Sequence, residues 1–265
     1  MTQLALALAD GAVVARRNLI KIRRVPEILV WTTLSPIMFV LLFGYVFGSS
    51  IRIPGVSYRE YLIAGVFAQT VVFGSTFTGV GLAEDMTKGI IDRFRSLPMA
   101  RSAVLVGRTA SDVVYNSISV LVMSLTGLAV GWRIRTSLHQ ALVGYVLLLL
   151  FSYAISWVMA YVGLKVSTVE VVNNASFMVI FPLTFVANTF VRSDALPGPL
   201  QTFAEWNPVS AVAQAAREAF GNTGAPPPQV WSLSHPVAYT LIWVAIILAV
   251  FVPLSVRQYN RTAAR

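Results

Sequence analysis

Asp112, Asn116, Asn174 and Asn188 are polar groups set in long apolar runs, and they are the residues here with most scope for chemistry. Groups of that kind bind or pass a ligand, an ion or a proton. Asn116, with Ser119, Met123 and Thr126, extends one helical face above Asp112. Asn174, Phe177, Phe181, Thr184 and Asn188 share a second face. An amide in lipid is costly unless it is paired, so this second face is expected to point inward. It would line a ligand path, or form a contact between two chains or between helices. Asp112 is expected near a membrane interface, paired with Arg108 one turn earlier. The shortage of charge along both faces suits an amphipathic or lipophilic ligand. Covalent and metal chemistry are poorly supplied. There is no cysteine, and His139 and His235 each stand alone, so no metal site is expected.

The elements that carry these residues follow from composition. The chain is 56% hydrophobic and 12% charged, with a mean hydropathy of +0.71. A soluble domain carries about 25% charged residues. A bilayer core of ~30 Å needs about 20 apolar residues in a helix. Six stretches qualify, at 28–47, about 61–82, 104–130, 138–164, 171–191 and 237–256. The expected fold is all-α, a polytopic membrane protein with six transmembrane helices and an N-terminal amphipathic helix on the membrane surface. Residues 1–25 form that helix, 26–256 the six-span domain, and 257–265 a cytoplasmic tail. With both termini inside, 14 of the 20 basic residues fall on inner segments and six on outer ones. Positive charge favours the cytoplasmic side, so both termini are expected there, in the cell inner (plasma) membrane. The net charge of +9 is then a matter of placement and lipid contact, and no nucleic-acid partner is expected.

One polar passage interrupts the apolar sequence. Seven of the 31 charged residues, 20 basic and 11 acidic overall, lie between Glu84 and Arg101. Met86, Ile90, Phe94 and Leu97 recur at helical spacing and form an apolar stripe. Glu84 and Asp85 suit a helix N-terminus, Arg95 its C-terminal half, and Pro98 a stop. The pattern predicts a single cytoplasmic helix over 84–97, offering a charged edge and an apolar edge to a protein partner. The alternative is an ordinary loop resting on lipid. On the outer side, Asn207 and Pro208 read as an N-cap and first helical residue, and Gly221 or Gly224 as the stop. Arg59 and Glu60 are expected to pair or to anchor the outer end of the second span.

The run "EDMTKGIIDRFRSLPMARSAVLVGR", with six spans and an amphipathic N-terminus, resembles the type-2 export permeases of ABC transporters. Within them it is similar to the daunorubicin/doxorubicin-resistance permeases of actinobacteria. "FPLTFVANTFV" and "WNPVSAVAQAARE" resemble that family's fifth-span and outer-helix patterns. The resemblance implies a permease that pairs with a second permease, as homodimer or heterodimer. It also implies a separate ABC ATPase subunit, which binds the ATP and Mg and docks on Glu84, Asp85, Met86, Ile90, Phe94, Arg95 and Leu97. This chain would hold no cofactor of its own. None of its three lysines follows a glycine, so it has no phosphate-binding loop. A drug, antibiotic or lipid is the expected cargo. The alternatives are a glycan or polymer, or transport driven by an ion gradient.

Overall fold

The computed structural model describes residues 3–24, 26–48, 51–96, 99–100, 102–166, 168–224 and 229–262. These residues form α1 (Gln3–Arg24), α2 (Pro26–Leu41), α3 (Tyr58–Gly74), α4 (Thr76–Thr87), α5 (Ile90–Arg95) and α6 (Ala103–Ala129). They continue as α7 (Leu138–Lys165), α8 (Val169–Phe185), α9 (Gly198–Trp206), α10 (Pro208–Phe220), α11 (Trp231–Ser234) and α12 (Pro236–Thr262). Four helical stretches are long and apolar enough to cross a membrane: Tyr58–Thr87, Ala103–Ala129, Leu138–Lys165 and Pro236–Arg261. Two shorter apolar helices, Thr33–Phe47 and Val169–Phe185, lie on the expected first and fifth spans. The chain is an all-α polytopic membrane protein.

Several boundaries differ from expectation. The first span ends in a π-helical segment, Leu42–Phe47. The second is bent at Ser75, whose hydroxyl donates to the Val71 carbonyl one turn back. Such back-bonding bends helices. The bend sits at a polar node. Ser75 also bonds the Ser152 carbonyl on α7, and Asn116 Nδ2 on α6 donates to Ser152 Oγ at 2.8 Å. Gly74 is required beside it, because a Cβ there would run into Asn116 Oδ1. The fifth span stops at Phe185, so Asn188 lies beyond the helix. The last runs on to Thr262, into the expected tail.

Residues 1–25 were expected to lie on the membrane surface. In the fold, α1 packs along α6, where Gly11 faces Gly107 closely enough that a Cβ on Gly107 would meet the Gly11 carbonyl. Asn18 Nδ2 donates to Ser111 Oγ at 3.2 Å, and Asp10 accepts from the Ala100 amide at 3.0 Å.

The bundle has two distinct ends. One gathers α5 and the C-terminal part of α12 around a cluster of Leu82, Ile91, Leu105, Trp157, Leu164 and Tyr259, and α1 reaches this end through Arg17. The other gathers residues 51–57 and 130–137 with α9, α10 and α11. There α10 is wedged among α3, α7 and α12, and Phe67, Trp132, Tyr145 and Phe220 form an aromatic cluster, with ring centroids 4.9–6.2 Å apart. Trp132 Nε1 is bonded to Asn222 Oδ1 at 2.6 Å. Most buried polar groups at this end are paired, as their low-dielectric setting demands.

Candidate functional site

The 84–97 passage is two helices rather than one. α4 runs through Thr87, and Gly89 has φ +63°, a left-handed conformation that closes α4 and re-aims the chain into α5. Glycine adopts it without Cβ strain, which is why the helix breaks within a continuous apolar pattern. Glu84, Asp85 and Met86 therefore form the last turns of a span. Glu84 pairs with Lys88 at 2.6 Å, and Asp85, buried, pairs with Arg17 of α1 at 2.7 Å. The apolar stripe also faces differently. Met86 and Phe94 pack against this chain's own cluster around Leu82 and Trp157, while Ile91 is fully inside it. The Arg17 guanidinium lies 5.0 Å from the centre of the Phe94 ring. The residue turned outward on α5 is Arg93, beside Asp92, with Ile90 half-covered. The side chain of Arg95, and all of Leu97 and Pro98, lie outside the described residues.

The two intramembrane faces fare differently. Asp112 and Asn116 are buried on α6, between the bundle's helices. Arg108 does not form the expected bond to Asp112. Its guanidinium donates to the Phe77 carbonyl at 2.7 Å, lying against Gly81. Asp112 Oδ2 and Asn116 Oδ1 have no hydrogen-bond partner among the described residues.

Of the face expected to point inward on the fifth span, Thr184 and Asn188 are buried. Val172, Ser176, Ile180 and Thr184 are the buried side of α8. Asn174, Phe177 and Phe181 lie toward the open side, with Phe177 57% exposed and Phe181 39%. Val172 seats α8 closely on α4, its Cγ1 being 3.2 Å from where a Cβ on Gly79 would stand.

Phe177 and Phe181 are nevertheless brought to a site. With Phe39, Phe73, Phe77 and Phe185 they line a groove of about 450 Å³ between α2, α3, α4 and α8. Ser35, Gln69, Thr70 and Thr76 supply its polar atoms. Phe177, Phe181 and Phe185 stack in sequence, at 5.0 and 4.1 Å between centroids. Six phenyl rings and a few neutral polar groups, with no charged lining residue among the described residues, suit a flat apolar or amphipathic molecule.

At the α10 end, Asn207 and Pro208 sit as the sequence predicts. Asn207 Oδ1 accepts from the Val209 amide at 2.9 Å, and its Nδ2 donates to the Leu183 carbonyl at 2.7 Å. Gly221 closes the helix with φ +72°. This cap ties α10 to the end of α8.

Sequence reasoning missed Arg217. It was counted as one outer charge, yet it is 0% exposed. Its Nε donates to the Tyr61 carbonyl at 3.1 Å, Nη1 to Asn188 Oδ1 at 3.2 Å, and Nη2 to the carbonyls of Asn188 and Thr189 at 2.7 and 3.1 Å. The guanidinium also stacks over the Tyr61 ring at 3.6 Å. No carboxylate bonds it among the described residues. Carbonyls just past the C-terminal end of α8 take that part, with the helix dipole adding to their negative potential. Hydrogen bonds to a charged group contribute about 1.5–3 kcal/mol each. The signal available in sequence was the helical spacing of Arg217 with Val209, Ala213, Ala216 and Phe220, which puts it beside a buried stripe.

The Arg59–Glu60 pair does not form either. Buried Glu60 is bridged by Arg135 at 2.8 Å, while Arg59 stacks on Tyr45 at 4.3 Å.

Residues 11–220 match the ABC-2 type transporter family. Over 248 residues the chain is 32% identical to a daunorubicin resistance ABC transporter permease of Streptomyces coeruleorubidus, covering 94% of this chain and 85% of that one. It is 26% identical over 230 residues to a probable doxorubicin resistance ABC transporter permease of Mycobacterium tuberculosis, covering 86% and 80%. A putative transport permease of Cyanophora paradoxa is 23% identical over 215 residues, covering 80% and 74%. With the family match spanning most of the helical bundle, the chain belongs to the ABC-2 type transporter family.

Proposed function

We propose that this chain is the membrane-spanning permease subunit of an ATP-driven exporter, moving a flat lipophilic or amphipathic compound of the drug or antibiotic class outward. The observation that carries the cargo class is the groove of six phenylalanines, whose size suits a small molecule. Relatives named for daunorubicin and doxorubicin resistance support the same reading. The chain supplies no phosphate-binding loop, so a separate ATPase subunit binds ATP and Mg. It docks at the α5 end, on the surface around Arg93, Asp92 and Ile90, with both termini of the permease on the same cytoplasmic side. A second permease, identical or related, covers the exposed strip of Phe177, Met178 and Val179 on α8.

Arg17 links the parts that must move together. It joins α1 to Asp85 at the end of α4 and to Phe94 in α5. A push on α5 is therefore carried into α1 and into the second span, whose other half lines the groove.

The test is efflux from cells that carry the permease with its ATPase. Phe181→Ala and Gln69→Leu should each weaken resistance to a planar aromatic drug without lowering the amount of permease in the membrane. An ATPase partner that cannot hydrolyse ATP should abolish efflux. Full efflux with that partner would remove the ATP-driven reading in favour of a gradient-driven one.

A further inference from the structure

α3 presents three levels on one face at four-residue spacing. Gln69 lines the aromatic groove, Gly65 faces Thr189 and Arg217, and Tyr61 lines a second cavity. This second cavity, about 290 Å³, is unlike the first. Asn188, Gln201, Glu205 and Gln214 line it, with the Arg192–Asp194 ion pair. The chain from α8 shows the same division. Phe185 lines the groove and Asn188, three residues on, lines the polar cavity. Between the two cavities lies the turn 186–189, and Arg217 holds it.

We propose that this turn is a movable partition in the export path, and that Arg217 is the positioning residue that keeps it shut. The inference rests on the export reading of the groove. An amphipathic cargo leaving the phenylalanine groove would meet the partition, and beyond it a cavity of amides and carboxylates suited to its polar end.

The bonds at the turn are those of a latch. They hold main-chain atoms of the turn rather than a second charge. Arg217 grips the carbonyls of Asn188 and Thr189, Tyr61 Oη donates to the Asn188 carbonyl at 3.0 Å, and the Asn188 amide donates to Ser210 Oγ at 2.9 Å. Two of the three holding side chains, Arg217 and Ser210, come from α10, and Tyr61 comes from α3. Gly65 lets the turn seat so closely, since a Cβ there would run into the Thr189 carbonyl. A displacement of α8 relative to α10 breaks several of these bonds together. The released carbonyls then face the polar cavity, where water and the neighbouring amides can take them up. The partition thus has two satisfied arrangements, which is what a gate requires.

The chain has no cysteine, so an introduced pair can be read cleanly. Asn188→Cys with Ser210→Cys puts one thiol on the turn and the other at the α10 side chain that accepts from the Asn188 main-chain amide. The assay is ATP-driven uptake of the planar aromatic cation ethidium into inverted vesicles holding permease and ATPase. Oxidation should abolish uptake and a reductant should restore it, while ethidium still binds and the ATPase remains attached. Tyr61→Phe, which removes one bond to the turn and keeps the ring, should raise ATP-independent leak of ethidium. Normal uptake with the disulfide formed would overturn the partition and leave the export reading intact. So would an unchanged leak in Tyr61→Phe. The Tyr61→Phe leak decides the matter whether or not the disulfide forms under oxidant. No ethidium uptake by the unmodified protein would remove the export reading for this cargo class and the partition with it.

Discussion

Phe94→Ala tests how α5 is held. Phe94 is half-buried against the cluster of Leu82, Ile91 and Trp157, and Arg17 lies over its ring. Truncating a fully buried phenylalanine costs about 3–5 kcal/mol, so half-burial scales this to roughly 1.5–2.5 kcal/mol. Loss of a partly exposed cation–π contact adds about 0.5–1 kcal/mol. α5 has six residues and no stability of its own without tertiary packing. The cost therefore falls on local opening of α5, not on the bundle. About 2–3.5 kcal/mol corresponds to a roughly 30- to 300-fold rise in the opening equilibrium. Amide hydrogen exchange across residues 91–96 of the purified permease should speed up by that factor, since exchange tracks the open population. Exchange in α7 should stay as it was. ATPase capture should fall in parallel, because the surface it needs is no longer held. Arg93→Glu is the complementary variant: exchange unchanged, capture reduced, and the reduction smaller at high salt. If Phe94→Ala leaves exchange over 91–96 as slow as in the parent, the packing argument is wrong. If both variants capture the ATPase as the parent does, α5 is not its docking element.

Gly107→Ala should lift α1 off α6, because the new Cβ meets the Gly11 carbonyl, whereas Gly198→Ala, with nothing within 4 Å, should be silent. A cysteine placed at Val14, 2% exposed in the parent, reports the difference: it should react with a maleimide only when combined with Gly107→Ala. Asn207→Ala removes both the cap of α10 and the bond to the Leu183 carbonyl. It should cost about 1–2 kcal/mol, read as a lower melting temperature in detergent, and an unchanged melting temperature would mean that the cap contributes nothing.

Local chemistry made some of this protein readable from sequence. The apolar runs had to be helices, because lipid offers no partner for an unpaired peptide group. Asn207 and Pro208 marked the start of α10, and Gly221 or Gly224 its end, because capping is decided within a few residues. The passage from Glu84 stood out because charge is so scarce elsewhere. Which face each helix turns to protein was decided only by the tertiary structure. In water an apolar stripe means core, but in a membrane both lipid and protein accept it, so periodicity groups Phe177 with Phe181 without saying where they point. Close packing settles that, through shape, as where Val172 seats against Gly79. The same limit hid the inward turn of Phe94, where Gly89 breaks a pattern that reads as continuous. It also hid Arg217, which is buried not by its neighbours in sequence but by carbonyls of Tyr61, Asn188 and Thr189, lying 28 to 156 residues away. A main-chain carbonyl is present at every position and so leaves no mark in the sequence, and only folding brings these three around one guanidinium.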